Sequence, residues 1–314
     1  MISIFRSFST WLYFFKSLKL EKNEFGFICP FGIGDTYLVC SLLEHLLIRN
    51  KKKFVKIFVK KKHKDIAELF KNSKIRIKVV NMPNNKFFKL LALLPKKRSI
   101  LRPGHITIAH PGFIRGTSWN KIGKGNTNFL KTWQEFFGLD INCKPSLPLV
   151  TYTLKHQAMQ RCLKLGLKKN KTIILAPEAN SFKNFNLQFW QTVADSFKKR
   201  GFTVCLLSIT RKLELKGTKL ISFPLGEALP IAKYCGLVIS TRSGLCDLLS
   251  TAKANICIIY SGYTNLLYRD FSLRDLSKGR GRILEFEVDE DSSIEITVSR
   301  IIKAIFSSKA NKYI

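Results

Sequence analysis

Short apolar runs alternate with helical stretches along almost the whole chain, and this alternation constrains the fold more than any other feature. Glu24–Pro30 is a strand-like run that leads into Gly32-Ile33-Gly34-Asp35, and a helical stretch follows from Thr36 to Arg49. Phe54–Val59 alternates as a strand, Asp65–Phe70 reads as helix, Ile75–Val80 as strand, Phe87–Leu94 as helix and His105–His110 as strand. Phe113–Asn128, rich in Gly, Asn and aromatic residues, reads as a loop. A second array runs through helix Lys155–Leu165, strand Thr172–Pro177, helix Leu187–Arg200, strand Thr203–Ser208 and helix Glu227–Tyr234. It continues with strand Leu237–Ser240, a helix from Gly244, strands Ile256–Tyr260 and Ile283–Val288, and a closing helix over Ser292–Phe306. Strands joined through helices need crossover connections, which build parallel sheets covered on both faces. The fold class expected is α/β, with two tandem Rossmann-like doubly wound domains. Pro145 and Pro148 interrupt the pattern and place the boundary. The expected division is an amphipathic N-terminal segment over 1–22, a first domain over 23–150 and a second over 151–314.

The length of 314 residues suits two domains of about 150 residues each. Lys and Arg number 54 against 21 Asp and Glu, a formal net charge of +33. The excess is shared, +20 in residues 1–150 and +13 in 151–314, so no single basic arm accounts for it. With 46% hydrophobic residues, a disordered polycation is excluded. Such a body seeks polyanions: nucleic acid, an acidic membrane surface or phosphorylated substrates. The densest cluster, Arg49–Lys64, reads as a strand with a lysine-rich rim, or as a face toward anionic lipid. Eight cysteines without any Cys-x-x-Cys pair, most of them in apolar runs, read as small buried hydrophobes of a reducing compartment.

At the N-terminus, Ile4, Phe8, Trp11, Phe15 and Leu18 fall on one helical face. Arg6, Lys16 and Lys19 leave too short an uncharged stretch to span a bilayer, and no signal-peptide cleavage site follows. Two readings stay open: a helix lying in a membrane interface, or one packed on the protein's own core.

Three turns carry the chemistry. The first is Gly32-Ile33-Gly34-Asp35, where Gly32 and Gly34 admit close backbone approach at a strand-to-helix turn and the helix start favours negative charge. Asp35 stands at the carboxyl end of the strand, as an N-terminal cap or as a general base. The third glycine of a dinucleotide fingerprint is missing. The second turn, Ala176–Asn186, offers Asn180, Ser181 and Lys183 as hydrogen-bond donors and a cation for phosphate. In the third, Ser240–Asp247, a strand ends and a helix begins at Ser243-Gly244, whose backbone amides suit an anion. Arg242 adds a bidentate donor there, and Asp247 orients Arg242, contacts the ligand or caps the helix. Asp289-Glu290-Asp291 is the one Asp-x-Asp, and it reads as acidic residues at a helix start, not as a metal site.

Together, the Gly-Asp loop, the Pro-x-x-x-x-x-Lys loop and the Ser-Gly helix start resemble the heptosyltransferase family of glycosyltransferases over roughly 25–264. The resemblance implies a GT-B fold, with the acceptor bound mainly by the first domain and the nucleotide-sugar donor by the second. It implies inverting transfer with no metal and no cofactor beyond the nucleotide-diphosphate sugar. The acceptor would be a phosphorylated glycolipid or polysaccharide of lipopolysaccharide, lipooligosaccharide or capsule type. The enzyme would work as a peripheral protein on the inner face of a bacterial inner membrane, with an anionic membrane surface as partner. Asp35 matches the family's catalytic base, Lys183 the lysine on the donor diphosphate, and Ser243 and Gly244 the small pair of its Asp-Ser/Thr-Gly-x-x-His motif. Glu227 takes a ribose- or base-contacting position. The chain departs from the motif where Arg242 replaces Asp and Asp247 replaces His, a charge reversal that speaks against ADP-heptose and for a diphosphate held by arginine.

Two other classes compete. A nucleic-acid-binding protein would follow from charge alone, but no RNP, KH, zinc or helix-turn-helix signature accompanies it. A catalytically inactive relative acting as an assembly partner would follow from the departures at Arg242 and Asp247.

Overall fold

The computed structural model describes the chain apart from residues 1–13, 15, 17, 22–23, 52–53, 83–104, 114–117, 123–126, 181, 209–212, 262–267, 277–280, 290–291 and 308–314. The helix expected over Phe87–Leu94 lies outside the described residues. Up to Leu149 the chain forms one compact unit, and from Val150 onward a second.

In the first unit, strands β1 (Phe25–Cys29), β2 (Val55–Val59), β3 (Ile75–Val79) and β4 (Ile106–Ile108) form a parallel sheet in the order β3-β2-β1-β4. The chain steps outward from β1 to β3, then returns to β1's other side. β1 is buried along its whole length, as expected for a central parallel strand. Helix α1 (Ile33–Arg49) leaves β1 and buries most of its residues, with Asp35 in its first turn and Arg49 in its last, both complementing the helix dipole. Helix α2 (Lys64–Glu68) is short. Helix α3 (Phe129–Phe137) is the element that the alternation did not reveal. It is capped by Asn128, whose side chain accepts from the Lys131 amide at 2.7 Å, and it ends on Gly138 at φ 62°. Its Phe136 and Phe137 rings pack edge-on against Phe27 of β1.

Ahead of β1, Phe14 and Leu18 are buried in one cluster with Ile28, Phe58 and Val80. Of the predicted apolar face, Leu18 thus packs on the first unit's own sheet, together with Phe14, which is not on that face; Ile4, Phe8, Trp11 and Phe15 lie outside the described residues. Among the described residues no helix is long and apolar enough to cross a membrane.

The second unit opens with α4 (Tyr152–Lys164), followed by β5 (Thr172–Ala176), α5 (Leu187–Lys198), β6 (Thr203–Leu207) and β7 (Lys219–Ile221). Then come α6 (Ala228–Cys235), β8 (Gly236–Thr241), α7 (Gly244–Leu249), β9 (Asn255–Ser261), β10 (Ile283–Val288) and α8 (Ile294–Phe306). The six strands are parallel in the order β10-β9-β8-β5-β6-β7. β7, a three-residue edge strand, was also not anticipated. β5, β8 and β9 are buried throughout, and the apolar faces of α5 and α8 cover them through Trp190, Phe197, Val298 and Ile301. All eight cysteines are unpaired; Cys143 is half-buried and the others are buried.

Each sheet reverses its direction of growth once, between β1 and β4 and between β5 and β8. In open α/β sheets, ligands bind beyond the carboxyl ends of the strands at such a reversal.

Candidate functional site

At the reversal of the second sheet, β5 and β8 lie side by side, with Ala176 opposite Ser240. Two hydroxyls stitch their carboxyl ends together. Ser240 Oγ donates to the Ala176 carbonyl at 3.0 Å, and Thr241 Oγ1 to the Pro177 carbonyl at 2.8 Å. The loop after β5 is then shaped by its own side chains. Phe182 is buried edge-on against Tyr260 and Phe271. Asn184 Oδ1 accepts from the Ala179 amide at 2.8 Å, and Asn186 caps α5 by accepting from the Phe189 amide. With Phe182 anchored inward, its neighbour Lys183 is exposed, and Asn180 is exposed as well. Ser181 lies outside the described residues.

After the neighbouring strand β8, Ser243 and Gly244 open α7, both half-buried. Arg242 does not point a bidentate fork at solvent. It is 4% exposed, and its guanidinium is taken up by the protein itself. Nη2 donates to Asp247 Oδ1 at 2.6 Å, Nη1 to Asp247 Oδ2 at 3.1 Å and to the Ser243 carbonyl at 2.6 Å, and Nε to the Phe271 carbonyl at 3.0 Å. Burial works against its charge, but Asp247, with Tyr260 and Cys246 in support, more than offsets this and holds the guanidinium protonated. One expectation is corrected here and one is narrowed. Arg242 is not placed to clamp a diphosphate directly, because its donors are directed inward. Of the roles open to Asp247, orienting Arg242 is the one realised, and its burial removes it from the expected ligand contacts. The pair carries no net charge, so the reversal that spoke against ADP-heptose is neutralised within the fold. Arg242 instead fixes the backbone at Ser243.

Glu227 also differs from expectation. It is buried, and both carboxylate oxygens face Arg161 of α4, at 2.6 Å from Nε and 3.1 Å from Nη2. A carboxylate engaged in this way ties α4 to the start of α6, so its assignment to a ribose or base is not supported.

In the first unit, the turn after β1 holds Gly32 as the N-terminal cap of α1, and the Gly32 amide donates to Asp35 Oδ2 at 2.8 Å. Asp35 is half-buried at the third position of the helix, so it is not itself the cap but supports it by accepting from the Gly32 amide. A Cβ on Gly32 would stand 3.0 Å from Asp35 Oδ2, a close approach that a side chain there would disturb. Gly34 is buried within the helix and not part of an open turn.

Across the reversal, His110 follows β4 and packs against Phe31 at 4.7 Å and Trp119 at 4.4 Å. Its Nδ1 accepts from the Gly112 amide at 3.1 Å, which places the proton of the neutral ring on Nε2, and burial pushes its pKa down to about 4. His63, buried beneath α1, meets Thr36 Oγ1 at 3.0 Å and is likewise pushed down to about 4 by burial, with Lys62 and Lys60 adding to it. A histidine ending a short strand at the sheet reversal was the signal in the sequence for the His110 cluster.

Lys183 stands on the rim of a cavity of about 380 Å³, lined also by Phe185, Ser261 and Asp289. Asp289 lies several residues before α8, whose cap is Ser293, so it faces this cavity instead of opening the helix. Among the described residues no three His, Cys, Asp or Glu side chains gather as a metal site would require.

No family model and no curated sequence matches the chain. Solved structures do. A glycosyl transferase family 9 protein from Veillonella parvula aligns over 92% of this chain and 97% of its own, at 14% identity and a TM-score of 0.60. The ADP-heptose lps heptosyltransferase II of E. coli aligns over 90% and 98%, at 13% identity and a TM-score of 0.61. The chain has the fold of these transferases. E. coli heptosyltransferase WaaC, solved with ADP, aligns over 89% and 99%, at 10% identity and a TM-score of 0.54. The GT-B fold expected from the three loops is thus present, each unit with its own sheet reversal and its own candidate loop.

Proposed function

We propose that this chain is a GT-B glycosyltransferase that takes a sugar from a nucleotide-diphosphate donor. The observation that carries the reading is the pair of loops at the reversal between β5 and β8, one exposing Lys183 and the other opening α7 at Ser243 and Gly244. A lysine and a set of backbone amides at the carboxyl edge of a parallel sheet suit a diphosphate leaving group. The fold shared with heptosyltransferases, one of them solved with ADP, supports the same reading.

Within it, Lys183 and the amides near Ser243 and Gly244 stabilise charge on the departing nucleotide, and Arg242 holds the Ser243 backbone in place. Asp35 takes the proton of the acceptor hydroxyl as it attacks the anomeric carbon, giving inversion. Neither a metal nor a cofactor enters this scheme. The acceptor is a phosphorylated glycolipid or polysaccharide of lipopolysaccharide, lipooligosaccharide or capsule type, handled at the inner face of a bacterial inner membrane.

Nucleotide binding and donor hydrolysis across a panel of UDP-, GDP-, ADP- and CMP-sugars test the reading. Lys183→Ala should weaken binding of the preferred nucleotide about tenfold or more with unchanged melting temperature, and turnover should persist in EDTA. Asp35→Asn is the informative variant at the base. An Asn there can still accept from the Gly32 amide, so the helix cap survives while the proton acceptor is lost. Turnover should vanish with folding intact. Full activity in Asp35→Asn would remove the base, and wild-type protein that binds no nucleotide would remove the transferase.

A further inference from the structure

The cavity beside Lys183 has a composition of its own. It lies in the second unit at the carboxyl ends of β9 and β10, against the first turns of the 13-residue helix α8. At about 380 Å³ it falls in the range of small-molecule pockets and far exceeds the space of one water. Ser261, the last residue of β9, lines it. That residue is 5% exposed, and its Oγ has no hydrogen-bond partner among the described residues. A buried hydroxyl left unpaired is destabilising, so an occupant that bonds to it is favoured.

The walls select the occupant. One side is aromatic and aliphatic: Phe185 stacks on Phe189 with centroids 4.8 Å apart, and Val288 lies nearby. Another side is polar, with Asp289 and Thr297. A phosphate would gain from Lys183 and from the α8 dipole, but it would meet the Asp289 carboxylate, and Glu295 already sits in the first turn of α8. An alkyl chain would leave Ser261 unpaired and strip water from Asp289. A pyranose ring satisfies both sides, with a C–H face for the phenyl ring and hydroxyls for Ser261 and Asp289.

We propose that this cavity is a saccharide subsite that takes one neutral pyranose ring, its apolar face on Phe185 and a hydroxyl bonded to Ser261 Oγ. That the ring is a glycosyl unit of the enzyme's own substrate rests on the transferase reading; the binding does not.

The test uses the full chain and a panel of methyl gluco-, galacto- and mannopyranoside and N-acetylglucosamine, read by saturation-transfer NMR and calorimetry. At least one probe should bind, and Ser261→Ala should weaken it about tenfold, which corresponds to the loss of one buried hydrogen bond. Asp289→Asn, at an exposed position that does not threaten folding, should change the preference among the probes. Both variants should bind nucleoside diphosphates as the wild type does. Pyranose binding lost in Ser261→Ala, in a protein that binds no nucleotide, keeps the subsite and sinks the transferase reading. Nucleotide binding without any pyranose binding, equal pyranose binding in Ser261→Ala, or displacement of the sugar by inorganic phosphate overturns the subsite.

Discussion

At Arg242 the electrostatics of one side chain decide how the loop can act. A guanidinium beneath the start of α7, with an Asp247 oxygen at 2.6 Å, is a charge that burial would expel if the partner were removed. Arg242→Ala leaves Asp247 buried without compensation, so about 3–5 kcal/mol of stability should be lost in chemical denaturation. The double variant Arg242→Met, Asp247→Leu removes both charges together and should recover most of that loss. If the double variant is as unstable as the single one, the pair is not what holds the loop. The residue types of this turn were legible in the sequence, and the Arg242–Asp247 pairing was one of the roles left open; the inward direction of the guanidinium was not legible. Whether an arginine at a strand end faces a ligand or folds back depends on a carboxylate five residues later, brought under it only when α7 forms.

Helix α3 shows the limit of pattern reading at the scale of an element. Phe129, Leu130, Trp133, Phe136 and Phe137 do fall at helical spacing, but the run is only nine residues long and the Gly- and Asn-rich stretch ahead of it extends a loop reading across it. The usable signals are local: Asn128 three residues before the amide that it accepts, and Gly138 just past the end. Asn128→Ala should lower stability by about 1 kcal/mol, while Asn128→Ser should be close to neutral, as urea midpoints would report. Equal losses in both would mean that the amide is satisfied without the cap. The long elements were easier to read, because parallel strands buried on both faces appear as unbroken apolar runs. β7 has three residues, two of them exposed, and gives no such run.

For the whole molecule, two parallel sheets follow from the alternation, and two histidines, His63 buried and His110 half-buried, give the first unit a dependence on acid. His63 and His110 have pKa values pushed from 6.5 down to about 4. The unfolded chain binds protons at these sites below pH 6.5 while the folded one resists, so their contribution is complete above pH 6.5 and fades as pH falls toward 4. The loss is on the order of 3 kcal/mol each at most. Thermal melts between pH 7.5 and 4.5 should show it, and His63→Asn should flatten the slope; an unchanged slope would mean that His63 does not titrate across unfolding.

The net charge of +33 acts on the same scale but through solvent. With Phe14 and Leu18 packed on the first unit's sheet, membrane attachment by these two residues is unavailable. Attraction to an anionic surface then has to come largely from the lysine-rich exterior. Vesicles containing phosphatidylglycerol should bind the protein at about 0.1 M salt and release it near 1 M, where the screening length falls from roughly 10 to 3 Å. Binding that survives 1 M salt would point to apolar insertion elsewhere in the N-terminal segment. Absence of binding at low salt, with duplex DNA bound tightly instead, would turn the charge toward nucleic acid and away from a membrane.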